Sequence, residues 1–592
     1  MEKNHNNKLN LLKKKILEKN IDGYILPSTD EYLNEYVPDN QLRLKWLTGF
    51  SGSNGLCLVL KNKLIFFTDG RYLLQAKDQL VDRFEIFDTS KNDIFQWIEN
   101  NLEGHNLRIA IDIKINSIPF VKKFLQICKL TKNEPFLSKD IIIDDLWKRS
   151  KKKELSKAYL VPEKYSGLST NNKIKLIKKF LKGFDYFVIT SPESIAWLLN
   201  LRGGDLEYTP IVFCRMIIEK NNRVKLFIDL RKVNAKTRKK LNKELNIKIY
   251  DELEFETELE KDSLNKTVLL EKNAPYYFLN ILESQKAKVI LKTDPCKSAK
   301  SIKNKVEIEL SRKAHFYDGV ALAKFFCWLD NSSSNLNLDE ITVASKLEKY
   351  RRKNKKFISL SFPTISATAS NSAIIHYQPS NSKVYKLRFG DIFLCDSGAQ
   401  YFYGTTDVTR TIVFGEKKKI KPEIKNFYTR VLIGHLNISM IKFPEGTKGV
   451  HIDSLARNSL WEIGQDYGHG TGHGVGSFLG VHEGPQSISK ALIDVSLKPG
   501  MIISNEPGYY KNNKFGLRIE NLVCVKKSRN KNFLEFETLT LAPYRRNLID
   551  VSLLNENQIL WINKYHKKIF KKLNKHLNSE VRKWLYNETR PI

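Results

Sequence analysis

Leu394-Cys-Asp396-Ser-Gly398-Ala-Gln-Tyr-Phe-Tyr403-Gly404-Thr-Thr-Asp407-Val-Thr409-Arg410-Thr411 sets two aspartates among β-branched and aromatic residues. Gly398 and Gly404 permit a tight turn between them. Two neighbouring strands joined in this way bring both carboxylates to one place. Farther along, Tyr467-Gly-His469-Gly-Thr-Gly-His473-Gly-Val-Gly supplies two imidazoles in a glycine-rich stretch, where missing side chains leave room for a ligand close to the backbone. The run His482-Glu483-Gly-Pro follows. Ser504-Asn-Glu506-Pro-Gly-Tyr-Tyr510 and Phe515-Gly-Leu-Arg518-Ile-Glu520-Asn each place a glutamate inside an otherwise apolar strand pattern. An ionised carboxylate in such a setting is costly unless a cation or donor compensates it.

Taken singly these elements are bland. An Asp-Ser-Gly is usually a turn, a histidine among glycines is usually structural, and Pro-Gly after Glu usually marks a bend. Together they are not. Four carboxylates converging would repel one another strongly, and a pair of divalent cations relieves that repulsion. One imidazole with four carboxylates is a mostly hard, oxygen-rich donor set, which favours Mn²⁺, with Zn²⁺ or Co²⁺ able to substitute. Two metals about 3.5 to 4 Å apart share a hydroxide, lower the pKa of its parent water and polarise a carbonyl oxygen. That chemistry suits amide hydrolysis. Glu506 is placed to take the water's proton and pass it to the leaving nitrogen, with His376 and His482 holding the carbonyl oxygen and the substrate backbone.

The front of the chain is a duplication. Asp22-Gly-Tyr-Ile-Leu, Trp46-Leu-Thr-Gly-Phe-Ser-Gly-Ser-Asn and Phe66-Phe-Thr-Asp-Gly-Arg71 return as Phe184-Asp-Tyr-Phe-Val-Ile, Trp197-Leu-Leu-Asn-Leu-Arg-Gly-Gly-Asp and Leu226-Phe-Ile-Asp-Leu-Arg231. Strand-length apolar runs alternating with helical periodicity predict two α/β domains of like fold, joined near 150–157. A long helical pattern over 306–330 opens a third region that holds every chemical motif. The tail from Asn547 reads as a hairpin-like strand remnant followed by helices whose apolar faces use Leu553, Leu554, Ile559, Leu560, Ile562 and Tyr565.

A chain of 592 residues is too long for one core and implies two to four domains. The first residues, 1–19, are polar and lysine-rich with no apolar export segment. No stretch approaches the roughly 20 apolar residues of a membrane span. A protein without a membrane partner, in the cytoplasm, is expected. Seven scattered cysteines without a CxxC pair read as reduced thiols. The net charge of +34 is spread out and dominated by lysine, so a solvated basic surface is expected rather than a specific nucleic-acid site.

With these residues in view, the chain resembles the pita-bread metallopeptidases, and among them the long, three-domain cytosolic form of aminopeptidase P. The resemblance covers nearly the whole chain. Leu47-Thr-Gly-Phe-Ser-Gly-Ser and Thr68-Asp-Gly-Arg71-Tyr are its most telling pieces in front, and Leu548-Ile-Asp-Val-Ser-Leu-Leu through Trp561-Ile-Asn-Lys-Tyr-His resembles the long form's C-terminal extension. It implies an α/β (α+β) chain of two creatinase-type domains (1–150 and 151–300), a pita-bread catalytic domain (301–540) and an extension (541–592). It also implies that Asp396, Asp407, His473, Glu506 and Glu520 hold two divalent ions. Substrate handling then falls to His376, His469, His482, Tyr510 and Arg518, with Arg71 of the first domain near the substrate entrance. The implied substrates are peptides whose second residue is proline, and the implied assembly is a homodimer.

Three positions depart from the family pattern: Tyr403 stands where an acidic residue is common, Ala369 where glycine is common, and Gly480 where asparagine often precedes Val-His-Glu-Gly-Pro. Rival expectations are a dipeptide-only prolidase or creatine-type amidinohydrolase of the same fold, a peptide-holding relative that has lost its ligands, and a nucleic-acid protein suggested by charge alone. The duplicated front and the tail count against the first, and the five retained ligand-type residues against the second.

Overall fold

The repeat in the sequence is a repeat of structure. A computed structural model describes residues 2–81, 83–149, 155–221, 223–332, 337–379, 384–415 and 420–592. The chain divides into two units, the first made of Met1–Val161, Ser169–Leu206 and Ile211–Cys296, the second of Pro162–Leu168, Glu207–Pro210 and Lys297–Ile592.

The first unit holds two six-stranded sheets. Strands Gly23–Pro27, Leu56–Leu60, Leu64–Thr68, Phe84–Asp88, Arg108–Asp112 and Glu134–Ser138 lie in the spatial order fourth, third, second, first, fifth, sixth. Tyr186–Ile189, Cys214–Glu219, Val224–Ile228, Ile247–Tyr250, Thr267–Glu271 and Lys288–Lys292 repeat that order. In each sheet the first strand runs antiparallel to the second and parallel to the fifth. Gly23–Pro27, Leu64–Thr68 and Val224–Ile228 are buried along their whole length, as strands covered by helices on both faces must be.

The duplication extends to a small motif. The Asp69 carboxylate accepts from the Arg71 amide at 3.0 Å and from its Nε and Nη2 at 2.9 and 2.7 Å, and Asp229 takes the same three bonds from Arg231 at the same distances. An Asp with Arg two residues on, just past a strand, closes the turn with its own fork. The two halves meet through Tyr32 stacked on Phe213 at 4.6 Å, with the Arg215 guanidinium 4.4 Å from the Tyr32 ring. The expected junction at 150–157 lies in part outside the described residues. By Ser156 the chain is already tied to the second half, its Oγ accepting from the Gly204 amide at 2.7 Å.

In the second unit, Ile365–Thr368, Ile392–Ser397 and Val408–Val413 form one antiparallel sheet, and Lys442–Pro444, Phe533–Thr538, Asn521–Lys527 and Ile502–Asn505 another. Helices Lys305–Asn331, Glu340–Arg352, Pro422–Met440 and Gly449–Trp461 accompany them. A buried fork fixes the first sheet. Arg351 donates to both Asp318 oxygens, at 2.8 and 3.1 Å, and reaches the Ser397 hydroxyl at 3.1 Å, so two helices and the strand carrying Asp396 share one ion pair.

The tail corrects one expectation. No strand remnant opens it among the described residues; Arg546–Leu548 and Val551–Leu553 are 3₁₀ turns. Asp550 caps the second, accepting from the Ser552 amide and hydroxyl, and this local bonding replaces a ladder. Asn555 with Gln558 then starts helix Glu556–Leu573 with a capping box. Its buried stripe is Ile562, Tyr565, Ile569 and Leu573, which share one core with Val431, Leu432, Leu517 and Ile519. Leu560 points away and is 63% exposed. Among the described residues no helix is long and apolar enough to cross a membrane.

Candidate metal centre

The turn between the two aspartates works as its letters suggest. Asp396 is paired across the sheet with Thr409, and Asp407 immediately precedes strand Val408–Val413. Cross-strand partners share a face and residues two apart on a strand share a face, so Asp396, Asp407 and Thr409 project together. Glu506 and Glu520 do not sit inside strands as the apolar pattern suggested. Glu506 follows Ile502–Asn505, and Glu520 lies between Phe515–Arg518 and Asn521–Lys527. At these ends the backbone leaves the ladder and can turn a short acidic side chain inward.

One group of ligand-type atoms is tight. Asp407, His473 and Glu520 each offer an atom within 4.8 Å of the others. Nε2 of His473 is 3.6 Å from Asp407 Oδ2 and 3.4 Å from Glu506 Oε1. Its Nδ1 lies 3.0 Å from the Gly474 carbonyl, which assigns the ring proton there and leaves Nε2 as a lone-pair donor. Asp396 Oδ1 is buried with no hydrogen-bond partner. Burial, followed by the charges of Asp396 and Glu506, pushes Asp407 well above the usual carboxylate range. Burial and the charges of Asp407, Asp396 and Glu506 do the same to Glu520. Burial is also the largest cause for Glu506, which rises to about 7.

Three crowded carboxylates, those of Asp407, Glu506 and Glu520, held back from ionising, a buried Asp396 oxygen without a donor, and an imidazole presenting a bare nitrogen fit a pair of divalent cations. Mostly oxygen donors with one nitrogen suit hard or borderline ions.

The surrounding bonds hold these groups in place. Arg518 donates to Asp396 Oδ2 at 2.7 Å, to the Tyr510 hydroxyl at 2.6 Å and to the Ile375 carbonyl at 3.4 Å. Tyr510 in turn lies 2.9 Å from His469 Nε2. The His469 Nδ1 beside the Gly470 carbonyl carries that ring's proton, so the direction runs from Arg518 through the Tyr510 hydroxyl to His469. Arg518 is 1% exposed and holds a ligand-type carboxylate. His482 meets His473 edge to face, centroids 4.4 Å apart. His376 follows Ile375, whose carbonyl Arg518 holds. Arg71 belongs to the first unit.

Several contributors were not singled out from the letters. Thr409 donates to Glu520 Oε2 at 2.7 Å, and its position two residues beyond Asp407 was the available clue. Arg457 reaches the carbonyls of Tyr467 and His469, both at 2.8 Å, and Asp453 at 2.7 Å, while Thr471 donates to Asp453, so helix Gly449–Trp461 shapes the histidine loop. Glu483 is buried between Lys300 and Lys303, 2.7 and 2.5 Å away, anchoring the segment that presents His482. Nothing in the local sequence announces a pairing across some 180 residues.

The departures also have structural readings. Tyr403 stacks on Tyr317 at 5.7 Å with Lys313 4.5 Å over its ring, so a cation–π contact stands where an acid would make an ion pair. Ala369 has φ of 47°, in the left-handed region that favours glycine. A side chain there costs about 1 to 2 kcal/mol, of which glycine's extra freedom in the unfolded chain returns about half. Ala369→Gly is therefore expected to stabilise the second unit by about 0.5 to 1 kcal/mol, read as a higher denaturant midpoint at unchanged slope; an unchanged or lower midpoint contradicts the strain.

Comparison with known proteins agrees with this geometry. The model of Metallopeptidase family M24 matches residues 309–527, that of the Creatinase/Prolidase N-terminal domain matches 8–138 and again 149–307, and that of the C-terminal region of peptidase M24 matches 532–592. A probable Xaa-Pro aminopeptidase P of Leptosphaeria maculans is 37% identical over 604 residues, covering 98% of each chain. Xaa-Pro aminopeptidase 1 of Dictyostelium discoideum is 36% identical, covering 97% of this chain and 95% of its own. The crystal structure of X-prolyl aminopeptidase from Caenorhabditis elegans, described as a cytosolic enzyme with a di-nuclear active site, superposes with a TM-score of 0.93 at 32% identity, covering 99% of this chain and all of that one.

Proposed function

Because the chain belongs to the Xaa-Pro aminopeptidase P family of the M24 metallopeptidases, we propose that it removes the N-terminal residue from peptides whose second residue is proline, with Asp396, Asp407, His473, Glu506 and Glu520 as ligands of two divalent ions. The observation that carries this reading is that Asp407, His473 and Glu520 each offer an atom within 4.8 Å of the others, with Glu506 Oε1 3.4 Å from His473 Nε2 and the charge of Asp396 acting on both Asp407 and Glu520. Bound there, the ions supply a water of lowered pKa and a polarised carbonyl.

The chain's own residues do the rest. Glu506 takes a proton at its carboxylate and returns it to the leaving nitrogen. His482 and His376 donate to the substrate carbonyl and backbone, and Arg518 holds Asp396 so that its second oxygen stays turned inward. A prolyl nitrogen carries no N–H, so a site for it cannot rely on a bond from that group and must read ring shape instead.

Donor chemistry supports Mn²⁺, with Zn²⁺ or Co²⁺ as substitutes. Seven buried free cysteines support a reducing cytoplasmic setting. A homodimer, with Arg71 near the entrance, and the fourfold division of the chain belong to the same reading; spread-out charge supports no specific nucleic-acid partner.

The test is hydrolysis of an Xaa-Pro-Xaa tripeptide, an Xaa-Pro dipeptide and an Xaa-Ala-Xaa tripeptide by the Mn²⁺-loaded protein. Release of the first residue from the proline tripeptide, and far slower release from the alanine one, is expected. Activity confined to the dipeptide would make the protein a prolidase.

A further inference from the structure

We propose that the C-terminal extension is part of the metal centre's scaffold, with Tyr565 as a positioning residue that acts through Arg410 on Glu520; the inference rests on the ligand set above. Arg410 lies beside Thr409 and is 1% exposed. Its Nη1 donates to the Glu520 carbonyl at 2.7 Å, and its Nη2 to Asn521 Oδ1 at 2.8 Å and the Ala542 carbonyl at 2.6 Å. Its Nε reaches the Pro543 carbonyl at 3.1 Å. One planar guanidinium thus ties the backbone of a ligand glutamate to 542–543, where the catalytic sheet gives way to the extension.

Tyr565, on helix Glu556–Leu573, closes the arrangement from the other side. Its hydroxyl is 3.0 Å from the carbonyls of both Thr540 and Ala542 and donates its one proton there, while it accepts from Arg410 Nη2 at 3.3 Å. Its neighbour His566 accepts the Tyr544 amide at 3.1 Å.

A second branch leads to the other glutamate. Asn521 Nδ2 is 3.0 Å from the Tyr544 hydroxyl and 3.1 Å from His435 Nε2. His435 Nδ1 donates to the Asn505 carbonyl at 3.0 Å, one residue before Glu506. Both glutamates sit just beyond strand ends; the network holds the Glu520 carbonyl directly and, through His435, the Asn505 carbonyl at the last strand residue before Glu506. A buried polar network in a low-dielectric interior favours one geometry, because displacing a member breaks hydrogen bonds that water is not there to replace. The extension supplies two of its members.

Groups that orient metal ligands typically alter affinity 10- to 100-fold when lost. The experiment is Mn²⁺ binding to metal-stripped protein, measured by competition with a chromophoric chelator, for wild type, Tyr565→Phe and Ile569→Val. Tyr565→Phe keeps the buried ring and removes only the hydroxyl; Ile569→Val trims packing on the same helix without touching the network. The expected result is a Kd raised about tenfold by Tyr565→Phe and unchanged within twofold by Ile569→Val. An unchanged Kd for Tyr565→Phe overturns the proposal, as does an equal rise in both variants, which would make the extension a source of stability alone. If the wild type binds no Mn²⁺, Zn²⁺ or Co²⁺, the ligand set falls and the proposal with it.

Discussion

Glu506→Gln is expected to slow release of the first residue from an Xaa-Pro peptide by about 10³-fold while leaving the protein folded. The substitution preserves size and keeps an acceptor for Ser504 Oγ, which donates to Glu506 at 3.0 Å, so the backbone has no reason to move. It removes the carboxylate to which the proton path is assigned. A proton carrier works best when its pKa approaches the working pH, because it must accept and surrender within one turnover. An amide can do neither. The lost anion also weakens metal binding, so metal content is measured on the same sample, and the rate is compared at saturating Mn²⁺. A rate within tenfold of wild type under those conditions would remove Glu506 from the proton path and leave it a ligand only.

Much of the architecture was legible because it rests on short-range periodicity. Runs such as Gly23–Pro27 and Val224–Ile228 are apolar throughout because helices cover both faces, and the letters of one copy predicted the strands of the other. The Asp–Arg pairs at 69/71 and 229/231 belong to the repeat in the letters, and the structure adds that each turn closes on itself with the same three bonds. The tail was misjudged at its start because Asp550 and Asn555 turn their side chains back onto the chain, and a capped turn with apolar neighbours carries the same letters as a short strand. Leu560 was misplaced because a helix stripe is fixed by what it docks against.

The site divides along the same line. Ligand-type residues can be picked out one by one, since each is chemically unusual where it stands: acids amid apolar strands, imidazoles amid glycines. What orients them could not be, because Arg410, Arg457 and Lys300 act on partners 110, 12 and 183 residues away. A lysine in a short helix or an arginine in a strand has many innocent readings, and only the folded chain shows which carbonyl or carboxylate it faces. Thr409 is the intermediate case, readable in principle from strand alternation.

Removal of the metal should abolish turnover and should destabilise the protein more as the pH rises. The ligand carboxylates fix the sign. With no cation present, burial and mutual charge raise Asp407 and Glu520 well above the ordinary range, and raise Glu506 from its ordinary 4.5 to about 7. A folded pKa above the unfolded one means that, from about pH 4.5 to about 7, the folded chain holds protons that the unfolded chain has released. Stability then falls with rising pH across that window, by up to about 1.4 kcal/mol for each unit of separation between the two pKa values. Divalent cations replace the protons and lift that burden, and at a concentration 1,000 times Kd they add about 4 kcal/mol of their own. The gap in melting temperature between Mn²⁺-loaded and chelator-stripped protein should therefore widen from pH 5 to pH 8, and in Glu506→Gln it should widen less, since one of the titrating carboxylates is gone. Taking the difference between loaded and stripped samples cancels the surface lysines and ion pairs, which titrate alike in both. A gap that stays flat or narrows with pH would mean that the four carboxylates are already neutralised by the protein itself, and that no cation is needed to hold them together.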